Sequence, residues 1–260
     1  MLLLALVAVA SRIPVASGTA TPASRAQIAA SLAARGVAWI WPVSNGPILA
    51  PSGAAAYGEA AVVVETLVVD ARSVQRMPRT QPLVLPVSVR VLPVLHVEAG
   101  PDAPDTLSES QRGAIVDAFA RHAADAASGA GVIQLDFEAP RRERSSYQAL
   151  VGAIRTALPA SLKLSVTALA HWCAQGDWLD TLPVDEVVPM LYRLGPQSPQ
   201  WRRRWLRDDP TLARRCRGPA LGFATNDPPP AALLARTARP YWFDESAWSN
   251  RSVPSPGLVP

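Results

Sequence analysis

Lysine is almost absent from this chain: Lys163 is the only one among 25 basic residues. With the abundance of Ala, Arg and Pro, that skew reads as genome composition and not as function. Histidine occurs three times and cysteine twice. No His or Cys spacing of a zinc site is present. No glycine-rich phosphate loop and no G-x-S-x-G elbow is found either. These absences exclude the common nucleotide-binding and serine-hydrolase signatures, and no cofactor or metal is expected. Long apolar runs are missing as well. Leu2 to Ala10 is too short to cross a bilayer, and no other segment looks transmembrane. The net charge of +4 is modest for this length. A pI near 9.6 is weak support for an acidic partner, so nucleic acid is not expected.

What is present fits one large α/β domain: 260 residues, 49% of them hydrophobic, enough to bury a sizeable core. Leu2 to Ala10 resembles the core of a signal peptide, and small residues follow at Ala16, Ser17, Gly18 and Ala20. Residues 1–20 are therefore expected to be a signal peptide and 21–260 the mature domain. This gives a periplasmic or secreted location, with no integral membrane segment after cleavage.

Helix and strand signals alternate along the rest. Ser24 with Gln27 forms a capping box for a first helix that Gly36 ends. Strands are expected over Val37–Val43, Ala61–Val69, Val91–Glu98, Gly131–Glu138, Leu162–Leu169, Val184–Tyr192, Ala220–Thr225 and Arg239–Phe243. Ser108 with Gln111 caps a helix that Gly129 stops, and Ser145 with Gln148 caps another. Shorter helices are expected over Trp172–Leu182, after Ser198-Pro199, and over Pro229–Thr237. Asp70 to Pro82 lacks a helical period, and Leu83–Val89 reads as an extra extended segment. Eight strands with intervening helices predict a parallel sheet. In this length they predict a single (β/α)₈ barrel of the TIM type with an irregular second crossover; a doubly wound open sheet is the alternative.

A barrel places its functional groups at the C-terminal ends of its strands. GVIQLDFEAP, Gly131 to Pro140, is an apolar strand ending in two acids. Period-two alternation puts Gln134, Asp136 and Glu138 on one face. Acids avoid burial unless paired or hydrogen-bonded, and two in one low-dielectric site repel, which raises one pKa and keeps a proton donor near neutral pH. His96 and Glu98 end the preceding strand. Thr167, Leu169 and His171 follow the next. Met190, Tyr192, Asn226, Asp227, Trp242 and Asp244 end the later ones. Trp39 and Trp41 share a face on the first strand. Aromatic walls around acids suit a sugar ring, with its apolar face and rim of hydroxyls.

GVIQLDFEAP resembles the fourth-strand signature of chitinase-type glycoside hydrolases, D-x-x-D-x-D-x-E. Asp136, Glu138 and Pro140 match, while Gly131 and Gln134 stand where the first two acids would be. Met190-Leu191-Tyr192 resembles that superfamily's M-x-Y, and Trp242 is placed like its eighth-strand Trp. Over most of the chain the sequence is similar to a bacterial family of chitinase-like barrels, a domain of unknown function. The segments that carry this are RTQPLVLP, LDFEAPRRERSSYQAL, LSVTALAHWC, DEVVPMLYRLG and GFATNDPP. The chitinase resemblance implies Glu138 as general acid, Asp136 and Tyr192 as ligands of a substrate acetamido group, and Trp242 as the floor of a sugar subsite. The substrate's own acetamido oxygen would then be the nucleophile. The residues alone allow another pair, Glu138 as acid with Glu98 or Asp136 as second carboxylate.

Candidate sugar contacts are thus Tyr192, Trp242, Glu98, His96, Trp39, Trp41, Gln134 and Asp227, with Glu138 and Asp136 as catalytic pair. Two functions follow: an exported glycoside hydrolase, or a barrel that binds glycan without cleaving it. Arg202, Arg203, Arg204, Arg207, Arg214, Arg215 and Arg217 read as a solvated helix face, with Trp201 and Trp205 packing inward. Cys173 is expected at the mouth of the barrel and Cys216 at the opposite end, so two unpaired thiols are expected.

Overall fold

The computed structural model describes residues 36–41, 57–83, 85–137 and 144–243. The expected signal segment, the helix expected after Ser24, Glu138 and Asp244 lie outside the described residues. The barrel is built from eight parallel strands: β1 (Val37–Ile40), β2 (Glu59–Val69), β4 (Arg90–Ala99), β5 (Val132–Phe137), β6 (Lys163–Leu169), β7 (Glu186–Met190), β8 (Ala220–Ala224) and β9 (Arg239–Phe243). They pair in order, and β1 closes the ring by pairing with both β9 and β2. The chain is therefore a closed barrel of the TIM type, and the open-sheet alternative is excluded.

The irregular second crossover takes a definite form. After β2 the chain reverses into β3 (Val74–Pro78), which pairs antiparallel with β2. The stretch that follows is not a strand. It turns at Pro86–Val89 through a Val89 N–H bond to the Pro86 carbonyl. Leu83, Leu85 and Val89 cover Ile40, Ala60 and Val62, the outer strand face that a helix would otherwise bury. Arg79 ties this connection to the end of β1 by donating to the Trp41 carbonyl at 2.7 Å.

Alternation sorts side chains into two layers. Val37, Trp39, Val94, Val188, Tyr241 and Phe243 fill the interior. Ile133, Leu135, Phe137, Leu164 and Val166 face outward. They pack under α1 (Glu109–Ser128) and α2 (Arg144–Ala157), whose buried faces include Ile115, Phe119, Tyr147, Leu150 and Ile154. Removing Leu135, fully buried, would cost about 2–5 kcal/mol as Leu→Ala. The box at α1 is formed: Ser108 Oγ accepts from Gln111 N–H, and Gln111 Oε1 accepts from Ser108 N–H. Gly129 ends this helix because its Cα passes the Val91 carbonyl so closely that a Cβ would lie 2.3 Å from that oxygen. At α2, Ser145 lies inside the helix, and Gln148 donates to Thr181.

The helix expected over Trp172–Leu182 is two 3₁₀ turns, Ala170–Ala174 and Trp178–Thr181. The cysteine expectation is overturned: Cys173 and Cys216 form a disulfide with Cα atoms 5.8 Å apart. The segment after β6 does not stay at the mouth. Cys173 and Trp172 join the outer core, and the Ala213 N–H donates to the Cys173 carbonyl. Asp180 accepts from the Arg214 and Arg215 N–H groups. These bonds bring the 3₁₀ turn Arg214–Arg217 alongside.

Candidate functional site

Three strands deliver one hydrogen-bonded group to the mouth. β4 and β5 pair with His96 opposite Asp136, and β6 adds Thr167 from its inward face. Asp136 Oδ2 lies 2.7 Å from His96 Nδ1, and Asp136 Oδ1 accepts from the Thr167 hydroxyl at 2.6 Å. Asp136 is only 4% exposed, a costly place for an acid without such partners. As a carboxylate it can only accept, so both bonds run toward it. Trp41 meets the His96 ring edge-on, with centroids 5.4 Å apart.

Above this group opens a cavity of about 690 Å³ at the C-terminal ends of the strands, large enough for a small-molecule or sugar ligand. His96 and Asp136 lie in its wall beside Trp41, Tyr192 and Phe243. Glu98 lines the rim and is exposed. Tyr192 packs on Phe243 at 4.8 Å, and its hydroxyl donates to the Met190 sulfur.

Other expected contacts lie elsewhere. Gln134 has the expected inward parity but sits one layer below Asp136, fully buried, and donates to Ser165 and not to Asp136. Trp39 is also below the cavity, stacked on Phe243 at 4.5 Å. Trp242 faces the other way. On β9 the inward residues are Arg239, Tyr241 and Phe243, so Trp242 points outward and packs on Phe223. Phe243 holds the interior position. Asp227 pairs with the buried Arg202 at 2.8 Å, outside the mouth cavity. Arg202 also donates to the Leu191 and Asp227 carbonyls, so this pair fastens α3 (Ser198–Leu206) to the strand ends.

Two residues at the rim were not expected there. Trp201 lines the cavity from α3, whereas Trp205 packs inward and donates to the Cys216 carbonyl. Arg193 lines it too, with φ at +53°, a left-handed conformation that costs a non-glycine residue roughly 1–3 kcal/mol and recurs at functional sites. The only sequence signal for either was nearness to Tyr192. Behind β5, burial and then the Asp136 charge push the Tyr147 phenol far above its usual range, so it stays protonated. Among the described residues no group of three or more His, Cys, Asp or Glu is placed to hold a metal ion. No described helix is long and apolar enough to cross a membrane.

No family model matches the chain, and no curated protein matches it. Solved structures similar to it include the spore cortex-lytic enzyme SleL of Bacillus cereus, at 14% identity and a TM-score of 0.45, covering 73% of this chain and 50% of that one. The chain thus spans about half the length of that enzyme. The catalytic domain of a family GH18 chitinase from the fern Peteris ryukyuensis is 12% identical, with a TM-score of 0.48 over 83% of this chain and 94% of that one. A xylanase and alpha-amylase inhibitor protein from Scadoxus multiflorus is 12% identical, with a TM-score of 0.47 over 82% and 94%.

Proposed function

We propose that this barrel is glycoside hydrolase-like in function as well as fold, and that it takes a glycan in its mouth and cleaves it with Glu138 as the proton donor. One observation carries the reading. The cavity combines the aromatic surfaces of Trp41, Tyr192 and Phe243 with a buried, hydrogen-bonded Asp136. Aromatic rings cover the apolar face of a sugar, and fixed polar groups select its hydroxyls. Glu138 follows Asp136 by two residues in the same strand signature.

A panel of oligosaccharides assayed for both binding and hydrolysis tests this. Glu138→Gln keeps size and hydrogen bonding but removes the transferable proton. On a substrate with a poor leaving group it should cut turnover by roughly 10²–10⁴-fold, the usual scale for a general acid. An active wild type whose Glu138→Gln variant keeps full turnover would remove Glu138 from that role. A binding-only barrel is the second reading, favoured by the engagement of both Asp136 oxygens within the protein. It predicts saturable glycan binding with no product.

Export belongs to the same proposal. The disulfide supports it, since such bonds persist mainly in oxidising compartments. N-terminal sequencing of the mature chain should find a start between Ser17 and Ala23; an intact Met1 in a cytosolic fraction would remove the claim.

A further inference from the structure

The end of the barrel away from the mouth holds a second cavity, of about 510 Å³. Lys163 opens β6, Glu186 opens β7 and Arg239 opens β9, and all three line it. The 3₁₀ turn before β8 adds Arg214 and Arg215, and Asp185 completes its charged groups. Lys163 shares the parity of Ser165 and Thr167, which bond to Gln134 and Asp136 inside the barrel. Strand alternation therefore turns it toward the axis and into this wall. The acids here are already satisfied. Glu186 accepts from Ser165 and Tyr241 and pairs with Arg239. Asp185 accepts from the Leu164 N–H and lies 3.6 Å from Arg155. The cations are not. Arg215 donates to the neutral carbonyls of Val184 and Asp180. Among the described residues, Lys163 and Arg214 make no side-chain hydrogen bond or ion pair.

The wall thus carries four cations, Lys163, Arg214, Arg215 and Arg239, against two acids, a surplus of two positive charges. The charged groups behind it leave that surplus unchanged. They are Glu59 and Arg90 behind Arg239, Arg155 behind Asp185, and Asp180, whose carboxylate accepts from the Arg214 and Arg215 N–H groups. A recess with excess charge of one sign concentrates ions of the other. A phosphate group carries about −1.5 to −2 at neutral pH and offers three acceptor oxygens, so it matches the surplus where a carboxylate would meet only half of it. We propose that the closed-end cavity binds the phosphate group of a small molecule, received by Lys163 and Arg214, while Arg239 stays paired with Glu186 and Glu59. The volume is that of a small-molecule site and leaves room for the group that carries the phosphate. This site is independent of the chemistry at the mouth.

Lys163 is the one lysine of the chain, so ¹³C-lysine labelling gives a single Cε NMR signal, and it reports from the cavity itself. The labelled protein is titrated at neutral pH with sodium phosphate and with glycerol 1-phosphate. Ionic strength is fixed at about 0.1 M, which screens charges more than about 10 Å apart. Both ligands should move the Lys163 signal saturably. Tighter binding of glycerol 1-phosphate would show that the carrying group is also recognised, and equal affinities that the phosphate alone is; either result supports the site. Arg214→Ala keeps the backbone N–H that Asp180 accepts. It should weaken binding about tenfold or more, the scale of one charged hydrogen bond, and Arg214→Lys should recover part of that loss. Arg203→Ala removes an exposed arginine outside this cavity and should leave the affinity unchanged. A shift that does not saturate, or that sodium chloride or sodium acetate reproduces, overturns the proposal. So does wild-type affinity in Arg214→Ala, or an equal loss in Arg203→Ala and Arg214→Ala.

Discussion

Glu65 owes its surroundings to one extra residue. Between Val63 and Glu65 the β2–β4 register slips, so Val64 and Glu65 both face outward and the inward parity passes to Thr66 and Val68. A bulge of this kind re-aims every side chain beyond it. The Glu65 carboxylate, with no exposed side-chain surface, meets Arg76, Arg121 and His122 beneath the outer layer. Burial alone would raise its pKa, but the hydrogen bonds from Arg76 and His122 and the charges of Arg76 and Arg121 outweigh it, and the value is lowered from its ordinary 4.5. A depressed carboxylate contributes stability that is complete above the unfolded value and is lost as pH falls through the folded one. Denaturant unfolding should therefore show wild-type stability falling as pH drops below about 4.5. Glu65→Ala, which leaves cations that are themselves half exposed, should cost about 1–3 kcal/mol at neutral pH and flatten that fall. At this scale alternation made Asp136 and His96 legible, because inward parity on β4 and β5 follows from the sequence. The same rule places Trp242 outward and Phe243 inward. Trp242 lies at the end of its strand and is placed like the eighth-strand Trp of the resemblance, yet the parity of β9 turns it away from the mouth. Thr167 shared the correct face, but nothing in the sequence singled out its bond to Asp136.

Loops, more than strands, decide where the elements of this barrel touch. The cysteine pairing shows it. Strand order alone puts Cys173 and Cys216 at opposite ends, yet two 3₁₀ turns carry the chain after β6 over the outer layer until it meets the turn before β8. The disulfide closes a loop with a sequence separation of 43 residues, for which the chain-entropy relation gives about 4 kcal/mol. Cys216→Ser should lower stability by about 2–4 kcal/mol, or roughly 5–15 °C in Tm for a chain of this size. Calorimetry with and without reductant checks this, and reductant should have no effect on the variant. Short turns of this kind have no hydrophobic period to read, which is why they escaped the sequence. Where the signal was chemical, as in the Ser108–Gln111 box, the element start was legible. Ser108→Ala should cost about 1 kcal/mol in denaturant melts.

Across the molecule, eight βα-like repeats were enough to foresee a closed barrel, because parallel strands need crossovers and eight of them close. What the repeats did not show is a charged interior at the closed end, opposite the mouth. There Arg239 lies 2.6 Å from Glu59 and 3.1 Å from Glu186. Tyr241 and Ser165 both donate to Glu186 Oε1, and Ser165 accepts from Gln134. This chain of polar contacts reaches the residue directly below Asp136. Burial, and then the Glu186 charge, raise the Tyr241 pKa, so it remains a donor to Glu186. The acids come from β2 and β7, on opposite sides of β1, β8 and β9, and Arg239 on β9 bridges them across the ring. Arg239→Met removes the one cation bound to both. It should cost about 3 kcal/mol, the low end for a buried pair, since a quarter of the Arg239 side chain remains exposed. Glu186→Gln added to Arg239→Met should restore part of that loss, because Glu186 is the carboxylate that loses its cation, whereas Glu59 keeps its pair with Arg90. Denaturant unfolding of the wild type, both single variants and the double variant measures the coupling. Additive losses across that cycle would show that the closed end is held by packing of β1 against β9 and β2, and not by the charges that cross it.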